Sequence, residues 1–225
     1  MNAGRHSLMG GETAADDSLA LVNDGNAYIE TDFLLGGTKM QMEAVLLRRS
    51  TDNMTGGVFV GHDDNDAHDY RLFFAGVTNG VIFIDVGSGT KGRGARETPL
   101  FSHGEWHRAL TPIADSATSG HSEVDGQMDY VQDAISLSTS GFGVYARKLK
   151  FFAGSSTKDS QTGAVRMVRV RDFDTGRLLA DFWPKVKSGV PGIYDRVAGK
   201  FYTSTKGTLR VVPWKELSTA EGWNP

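Results

Sequence analysis

The amino-acid sequence predicts an all-β sandwich, and three of its features support that prediction. The 225 residues include 28 glycines but only 6 prolines. Glycine at this frequency is typical of strands joined by tight turns, because it readily adopts the positive φ angles that hairpin turns require. Aromatic residues make up 10% of the chain, and short apolar segments follow one another without a sustained helical period. Since the composition does not change after residue 26, we expect one sandwich domain.

Strand candidates follow one another along most of the chain. Ala27–Asp32 alternates in polarity, and so does Met40–Leu46, whose apolar residues share one face. The other candidates are Gly57–Gly61, Tyr70–Ala75, Val81–Val86, Trp106–Leu110, Ile135–Leu137, Phe142–Ala146, Leu149–Ala153, Val165–Arg171, Leu178–Trp183 and Lys200–Ser204. Turn signals lie between them at residues 78–80, 125–126, 139–141 and 174–176. One or two helical turns are predicted around Trp214–Ala220.

In one predicted strand, the apolar residues switch from one face of the strand to the other. In Val165–Arg171, Val165 and Met167 share a face, whereas Val168 and Val170 take the other. A β-bulge near Met167 would re-aim the pleat and resolve the conflict. The arginines of this segment are expected to form a solvated rim, with a binding stripe as the alternative; they are Arg166, Arg169 and Arg171.

The first 25 residues are polar and small, and they contain few side chains that can pack. Leu19, Leu21 and Val22 are the apolar residues at their end. We interpret residues 1–25 as an arm or linker that ends on a first short strand, 26–212 as the sandwich, and 213–225 as a C-terminal tail. Deletion of residues 1–18 is therefore expected to leave the sandwich folded.

Charge and cysteine content narrow the classes of function. The 24 Lys and Arg residues against 27 Asp and Glu give a net charge of −3, so nucleic acid is not an expected partner. The absence of cysteine excludes disulfides and thiolate metal sites. No apolar run reaches the roughly 18–20 residues of a membrane span, and we expect no membrane insertion. No signal peptide is visible, and the expected location is a virion, the cell surface or the extracellular space.

The last third of the chain carries motifs of a known family. A hairpin at Asp172–Leu178 is followed by Asp181–Pro184, Gly192–Val197 and Lys200–Tyr202. These motifs resemble the C-terminal signature of laminin-G-like, concanavalin A-like lectin domains from bacterial and phage surface proteins. The segments NAYIETDF and FVGHDD are similar to two further strands of that family. The resemblance spans residues 26–212 and implies a jelly-roll sandwich of two antiparallel sheets, used in glycan binding, adhesion or virion decoration.

The signature residues are interpreted mainly as structural. Pro184 is expected to end a strand, because proline cannot donate to a ladder. Asp195 is expected to accept backbone N–H bonds in a turn. Tyr194 and Tyr202 are expected to bury their rings and to keep their hydroxyl groups exposed to solvent at the edge of the sandwich.

The densest group of candidate metal ligands is the segment His62–Asp69. Calcium takes six to eight oxygen ligands, and several could come from its carboxylates, which are Asp63, Asp64, Asp66 and Asp69. Laminin-G-like domains often carry calcium at the sandwich rim, so the resemblance supports a calcium site, although the spacing is not that of an EF-hand. The alternatives are a solvated hairpin loop without metal and a zinc site through His62 and His68. No cofactor is required for the predicted fold.

Catalysis has one candidate motif. Glu123-Val124-Asp125 resembles the start of the strand that reads E-x-D-x-E or E-x-D-x-x-E in glycoside hydrolases on this fold. The place of the last glutamate holds Gln127 or Met128, and neither can act as the proton donor. Asp125-Gly126 is also a strong turn signal. The chain is therefore predicted not to be an enzyme, with a glycoside hydrolase-like activity as a minor alternative.

Ligand-binding candidates lie in a loop and at two strand starts. The glycine-rich segment 87–94 contains Lys91 and Arg93 but lacks the ending of a phosphate-binding loop. It is expected to be a basic loop, with binding of a sulfated or sialylated sugar as the alternative. Trp106 could stack on a sugar ring or pack in the core, and Tyr70 is a second aromatic candidate.

The leading prediction of function is a non-catalytic module that binds a glycan or a surface partner through rim loops of the sandwich. The alternative is a structural decoration protein of a virion or surface layer, whose N-terminal arm docks on a neighbouring subunit. These two classes differ in whether residues 1–25 serve a neighbouring subunit or are dispensable.

Overall fold

The computed structural model describes residues 17–25, 27–36, 40–48, 60–62, 70–75, 81–86, 104–113, 121–131, 146–153, 162–204 and 206–217. The strands in these ranges are β1 (Leu19–Asp24), β2 (Ile29–Leu35), β3 (Met40–Arg48), β4 (Val60–His62), β5 (Tyr70–Ala75), β6 (Val81–Val86), β7 (Trp106–Ile113), β8 (His121–Val124), β9 (Gln127–Val131), β10 (Arg147–Phe151), β11 (Thr162–Asp172), β12 (Leu178–Lys187), β13 (Val190–Asp195), β14 (Lys200–Tyr202) and β15 (Leu209–Pro213). A 3₁₀ helix, Trp214–Glu216, follows β15. Within these ranges, no helix has the length and hydrophobicity needed to cross a bilayer.

Two antiparallel sheets form a single sandwich, as the sequence predicts. Among the described residues, the larger sheet has ten strands, in the order β14-β13-β12-β11-β3-β7-β8-β9, with β1 beside β11 and β15 beside β1. The smaller sheet has five strands within the described part of the chain, in the order β2-β10-β4-β5-β6. The predicted strands Ile135–Leu137 and most of Phe142–Ala146 lie outside the described residues.

The main core lies between the two sheets, and Phe182 of β12 joins them. Its buried ring meets Phe151 of β10 edge-on, with the ring centroids 5.4 Å apart. Phe33 of β2 approaches the same ring at 6.1 Å, and Tyr202 of β14 at 6.3 Å. These spacings are those of favourable aromatic pairs, so one side chain of the larger sheet holds two strands of the smaller sheet. An ion pair between Asp32 and Lys200 links the sheets at the surface.

The predicted bulge is present in β11. This strand pairs with β3 from Gly163 to Asp172, and its register shifts between Val165 and Met167. The shift brings both Val165 and Val168 into the main core. On its other edge β11 pairs first with β1, from Thr162 to Val165, and then with β12, from Val168 onward.

The start of the sandwich differs from the predicted boundary at residue 26. β1 is an integral strand between β11 and β15, in which Leu21 pairs with Val165 and Val211. Leu21 faces the main core, while Ala20 and Val22 lie in a second cluster on the opposite face of the sheet. Because both faces are buried, this segment shows no polar alternation in the sequence. Ala20, Leu21 and Val22 are fully buried and pack within this chain.

The C-terminal segment covers the outer face of the larger sheet beside β1. The predicted helical turn is confirmed as the 3₁₀ helix, and Leu217 after it is buried in the second cluster with Leu47. Arg166 lies over the Trp214 ring, its Cζ 4.1 Å from the ring centroid, and donates from Nε to the carbonyl of Asp17 (3.0 Å). The domain therefore extends to Leu217 in the described residues, beyond the predicted end at 212.

Pro184 does not end β12, which corrects the prediction. The strand continues to Lys187, and Pro184 pairs with Ile193 of β13. The pairing of β12 with β11 ends at Phe182, so β12 has β13 as its paired neighbour at the proline. A proline is tolerated where a strand edge needs no backbone donor.

Two predicted turns are confirmed. Asp125 and Gly126 join β8 to β9 with φ angles of 52° and 76°, as the two-residue hairpin loop requires. At the turn between β11 and β12, Asp172 Oδ1 accepts hydrogen bonds from the hydroxyl (2.7 Å) and the amide (2.8 Å) of Thr175. These two bonds hold the pKa of the Asp172 carboxyl below its ordinary value of 3.8.

Removal of β1 is expected to unfold the domain. Deleting residues 1–24 takes away the pairing partner of both β11 and β15 and exposes the core beneath Leu21. Deleting residues 1–16 leaves every described pairing in place and is the matched control. Circular dichroism and thermal denaturation should show a cooperative transition for the shorter deletion alone. A cooperative transition of unchanged midpoint for the longer one would show that β1 is dispensable.

Candidate functional site

Three aromatic side chains lie side by side on the outer face of the larger sheet. Trp183 of β12 pairs with Tyr194 of β13, which pairs in turn with Phe201 of β14. Their chain neighbours Phe182 and Ile193 face the main core. Because successive side chains of a strand point to opposite faces, the three rings share the face turned away from the core. We call these three residues the aromatic row.

Three cations lie over the aromatic row. The guanidinium carbons of Arg169 and Arg196 are 5.2 and 4.3 Å from the ring centroid of Trp183. The ammonium of Lys185 is 4.7 Å from the centroid of Tyr194. Such distances are within the range of favourable cation–π contacts. We call Arg169, Lys185 and Arg196 the cation cluster.

The carboxylate of Asp181 fixes the position of Trp183. It is only 9% exposed, and its Oδ1 accepts hydrogen bonds from Trp183 Nε1 (2.8 Å) and Arg169 Nε (2.9 Å). The other oxygen lies 3.9 Å from a terminal nitrogen of Arg196. A buried carboxylate needs such donors to offset its lost hydration. The indole and the Arg169 guanidinium are therefore held by one shared acceptor.

Asp195 connects this group to the following turn. Its Oδ1 accepts the backbone N–H groups of Asp181 (3.1 Å) and Val197 (2.9 Å), which confirms the predicted role of this residue. The amide of Arg196 donates to the carbonyl of Asp181 (2.8 Å). The backbone that carries Arg196 is thus tied to the strand that carries Trp183.

The rings of the aromatic row differ in exposure. Trp183 is only 6% exposed and is covered by the guanidinium groups, so it cannot offer its face to a ligand. Tyr194 and Phe201 are half-buried on the sheet. The ring of Phe201 lies across Gly192, where a Cβ atom would come within 2.6 Å of it. Tyr194 and Phe201 are therefore more open to a ligand than Trp183 is, and a ligand that stacks on Tyr194 must share or displace the Lys185 ammonium over that ring.

The arginines predicted as a solvated rim have specific partners. Arg169 is bound to Asp181, as described above, and Arg171 donates from a terminal nitrogen to the carbonyl of Gly176 (3.2 Å). Arg166 lies against Trp214. Of the three, Arg169 belongs to the candidate site.

Trp106 packs against the C-terminal segment. Its ring meets Trp214 edge-on at 6.4 Å, and its Nε1 donates to the carbonyl of Trp214 (3.3 Å). Its contacts belong to the second cluster, on a strand remote from β13 in the sheet order. The structure therefore does not bring Trp106 together with the aromatic row.

The other sequence-predicted site residues are described in part or not at all. Tyr70 begins β5, where its backbone pairs with His62 and Val86. The basic-loop residues Lys91 and Arg93 lie outside the described residues, as do the candidate calcium ligands Asp63, Asp64, Asp66 and Asp69. Within the described ranges, no group of three or more His, Cys, Asp or Glu side chains could hold a metal. The calcium site stays a prediction.

The candidate catalytic carboxylates have different structural settings. Glu123 lies on β8, whereas Asp125 occupies the turn after it. Asp125 accepts hydrogen bonds from His107 Nδ1 (2.6 Å) and from the amide of Arg108 (2.8 Å). The two carboxylates therefore do not continue along one strand, as the E-x-D-x-E arrangement of glycoside hydrolases requires.

Comparisons with known proteins bear on the fold. No family model matches the chain, and no curated protein matches it. A crystal structure of a "putative carbohydrate binding protein" from Bacteroides ovatus is similar, with a TM-score of 0.56 at 11% sequence identity. The similarity covers 87% of this chain and 60% of that one. What the two share is the fold. A strand-rich fold of this kind is compatible with the jelly-roll lectin domain that the C-terminal motifs resemble.

Substitution of Gly192 by alanine is expected to disturb the aromatic row. The added Cβ would strike the carbonyl oxygen of Tyr202 and the ring of Phe201, so β14 must shift. The expected destabilisation is about 1–3 kcal/mol, as for other over-packed sites. Val190→Ala, at an exposed position of the same strand, is the control and should change stability by less than about 0.5 kcal/mol. Equal urea midpoints for the two variants would contradict this packing.

Proposed function

We propose that the domain is a non-catalytic carbohydrate-binding module whose ligand stacks on Tyr194 and Phe201. The observation that carries the proposal is the pair of half-buried rings, side by side on paired strands, with cations over the same row. The apolar face of a sugar presents C–H groups, and these contact the negative face of an aromatic ring favourably. The fold similarity to a protein described as carbohydrate-binding supports the same class of ligand.

The surroundings of the rings suit a polar ligand. Donors from Lys185 and Arg196 lie on the same face as the rings and can bond sugar hydroxyls. Tyr194 and Phe201 stand on paired strands, which position side chains more accurately than loops do. The surface can therefore hold a sugar by its face and by its hydroxyl groups at once.

Binding rather than catalysis is proposed, because Asp125 is occupied by His107 and by a backbone amide. The rim-loop site with Lys91 and Arg93 stays a second candidate location for the glycan. A decoration protein of this fold could not use Leu21 and Val22 to dock on a neighbouring subunit, because both side chains are buried in this chain's own sheet. The described contacts lie within this chain and do not favour adhesion to a surface protein over glycan binding.

Removal of either ring is expected to weaken glycan binding. On an array of neutral and acidic glycans, the wild-type domain should bind at least one class. Tyr194→Ala and Phe201→Ala should each lower the affinity at least about tenfold, the loss expected for a central aromatic contact. The reason is that each change removes a face on which the sugar stacks.

The matched control is Leu34→Ala, which removes an exposed apolar side chain from the smaller sheet. It should bind as the wild type does, and thermal denaturation checks that all variants are folded. Binding that persists in Tyr194→Ala and Phe201→Ala would place the site elsewhere, with the rim loops as the first candidate. Failure to bind any glycan on the array would contradict the proposed function.

A further inference from the structure

We propose that the C-terminal segment Trp214–Leu217 exchanges between copies of this chain, so that the segment of one copy docks on the outer sheet face of another. We call Trp214–Leu217 the strap. The docking surface is the second cluster, and its occupant is the strap of a second copy. This exchange is separate from carbohydrate binding, because its surface lies on β1, β3, β7 and β11 and uses no residue of the aromatic row or the cation cluster.

The docking surface is a row of apolar side chains that crosses four strands. Val22 of β1 pairs with Ala164 of β11, and Ala164 pairs in turn with Leu47 of β3. Leu47 then pairs with Trp106 of β7. Val22, Ala164 and Leu47 are fully buried, although they face away from the main core. Such a row on the outer face of a sheet needs a cover, because exposed apolar area costs free energy in water.

The strap supplies this cover with its first and last residues. Leu217 is only 7% exposed and belongs to the same cluster. The ring of Trp214 meets that of Trp106 edge-on at 6.4 Å, and Trp106 Nε1 donates to the Trp214 carbonyl (3.3 Å). The guanidinium carbon of Arg166 lies 4.1 Å from the centroid of the Trp214 ring. The row therefore binds a segment that carries a tryptophan three residues before a leucine.

The junction between β15 and the strap allows the strap to leave the row. β15 ends at the exposed Pro213, whose ring fixes φ and leaves ψ as the angle that can rotate. Lys215 and Glu216, between the two anchoring residues, are also exposed. Rotation at Pro213 lifts the strap and leaves the pairing of β1 with β15 in place. Exchange therefore needs no unfolding of the sandwich.

Exchange conserves the contacts of the strap. A second copy carries the identical segment, so Trp214 and Leu217 meet the same partners in a closed chain and in an exchanged pair. Exchange of an identical element is a low-cost route to a dimer. The closed chain keeps one advantage, which is an effective concentration on the order of millimolar for a short tether. Closed chains therefore dominate in dilute solution, and exchange is favoured where copies are crowded.

The length of the strap determines how two copies would meet. Four residues span at most about 14 Å when they are extended. Pro213 of one copy must therefore lie close to Pro213 of the other, beside β15 of each. This arrangement would supply the contact between subunits that the decoration-protein alternative needs, through the strap instead of residues 1–25.

Cross-linking between chains tests the proposal in the full-length protein, which contains no cysteine of its own. The amide of Trp214 donates to the carbonyl of Ser18 (3.0 Å), so Ser18→Cys and Lys215→Cys place two exposed thiols close together. The two single variants, one with a size tag, are mixed at about 1 mM, near the effective concentration of the tether, and treated with a short bismaleimide. The 18–215 product between chains should exceed the product of Leu34→Cys with Lys215→Cys, which measures random collision, at least about tenfold.

Variants of the strap assign the product to the apolar row. Trp214→Ala with Leu217→Ala, on the Lys215→Cys chain, should lower the product between chains to the collision level, because the strap then loses both anchors. If this variant fails to fold, Leu217→Ala alone should still lower the product. The double variant Ser18→Cys/Lys215→Cys should link within one chain and so checks that the closed strap forms. Thermal denaturation checks that every variant is folded.

Two results would overturn the exchange. The first is a product between chains that stays at the collision level while the double variant links internally. The second is a product that survives the loss of Trp214 and Leu217, since the contact would then not depend on the row. No glycan takes part in this experiment, so its outcome is independent of the proposed carbohydrate site.

Discussion

The Asp181 carboxylate, on the outer face of β12, accepts hydrogen bonds from an indole and a guanidinium and lies beside a second guanidinium. A carboxylate this deeply buried would be costly without these donors. The same residue's backbone amide donates to Asp195, and the amide of Arg196 donates to its carbonyl, so hydrogen bonds connect β12 to the turn after β13. The orientation of Trp183 and the positions of the two arginines follow from this single group. Tyr194 and Phe201 extend the surface that it organises.

The parts of the fold that could be predicted from the sequence are those that depend on the residue pattern of a single strand. The phase conflict in Val165–Arg171 led directly to the bulge, because a strand with period two cannot bury both sets of residues without one extra residue. β13 was missed since Val190-Pro191-Gly192 has the composition of a turn. β8 and β9 are short and polar, so only the turn between them was recognised. The prediction that Pro184 ends a strand is wrong, because the end of the β11 pairing at Phe182 depends on tertiary structure.

The candidate site was less predictable than the fold. The sequence assigned fold-holding roles to Tyr194 and its neighbours one by one, and Asp195 has such a role. That Trp183, Tyr194 and Phe201 form a row depends on the register of three strands, which no single segment encodes. Trp106 has the right chemistry for stacking on a sugar, but its ring and its Nε1 contact Trp214 of the C-terminal segment. A clearer signal was available in the two consecutive hairpins from β12 to β14, whose aromatic residues alternate with core residues.

The location of the bound glycan is the central claim, and chemical-shift mapping tests it most directly. In a titration of the isotope-labelled domain with the soluble glycan that binds most tightly on the array, the backbone amide signals of Lys185, Tyr194 and Arg196 should move the most. Signals from the smaller sheet, such as Leu34, should stay in place. Shifts confined to residues 63–69 or 87–94, with those of β12 and β13 unchanged, would contradict the account and move the site to the rim loops.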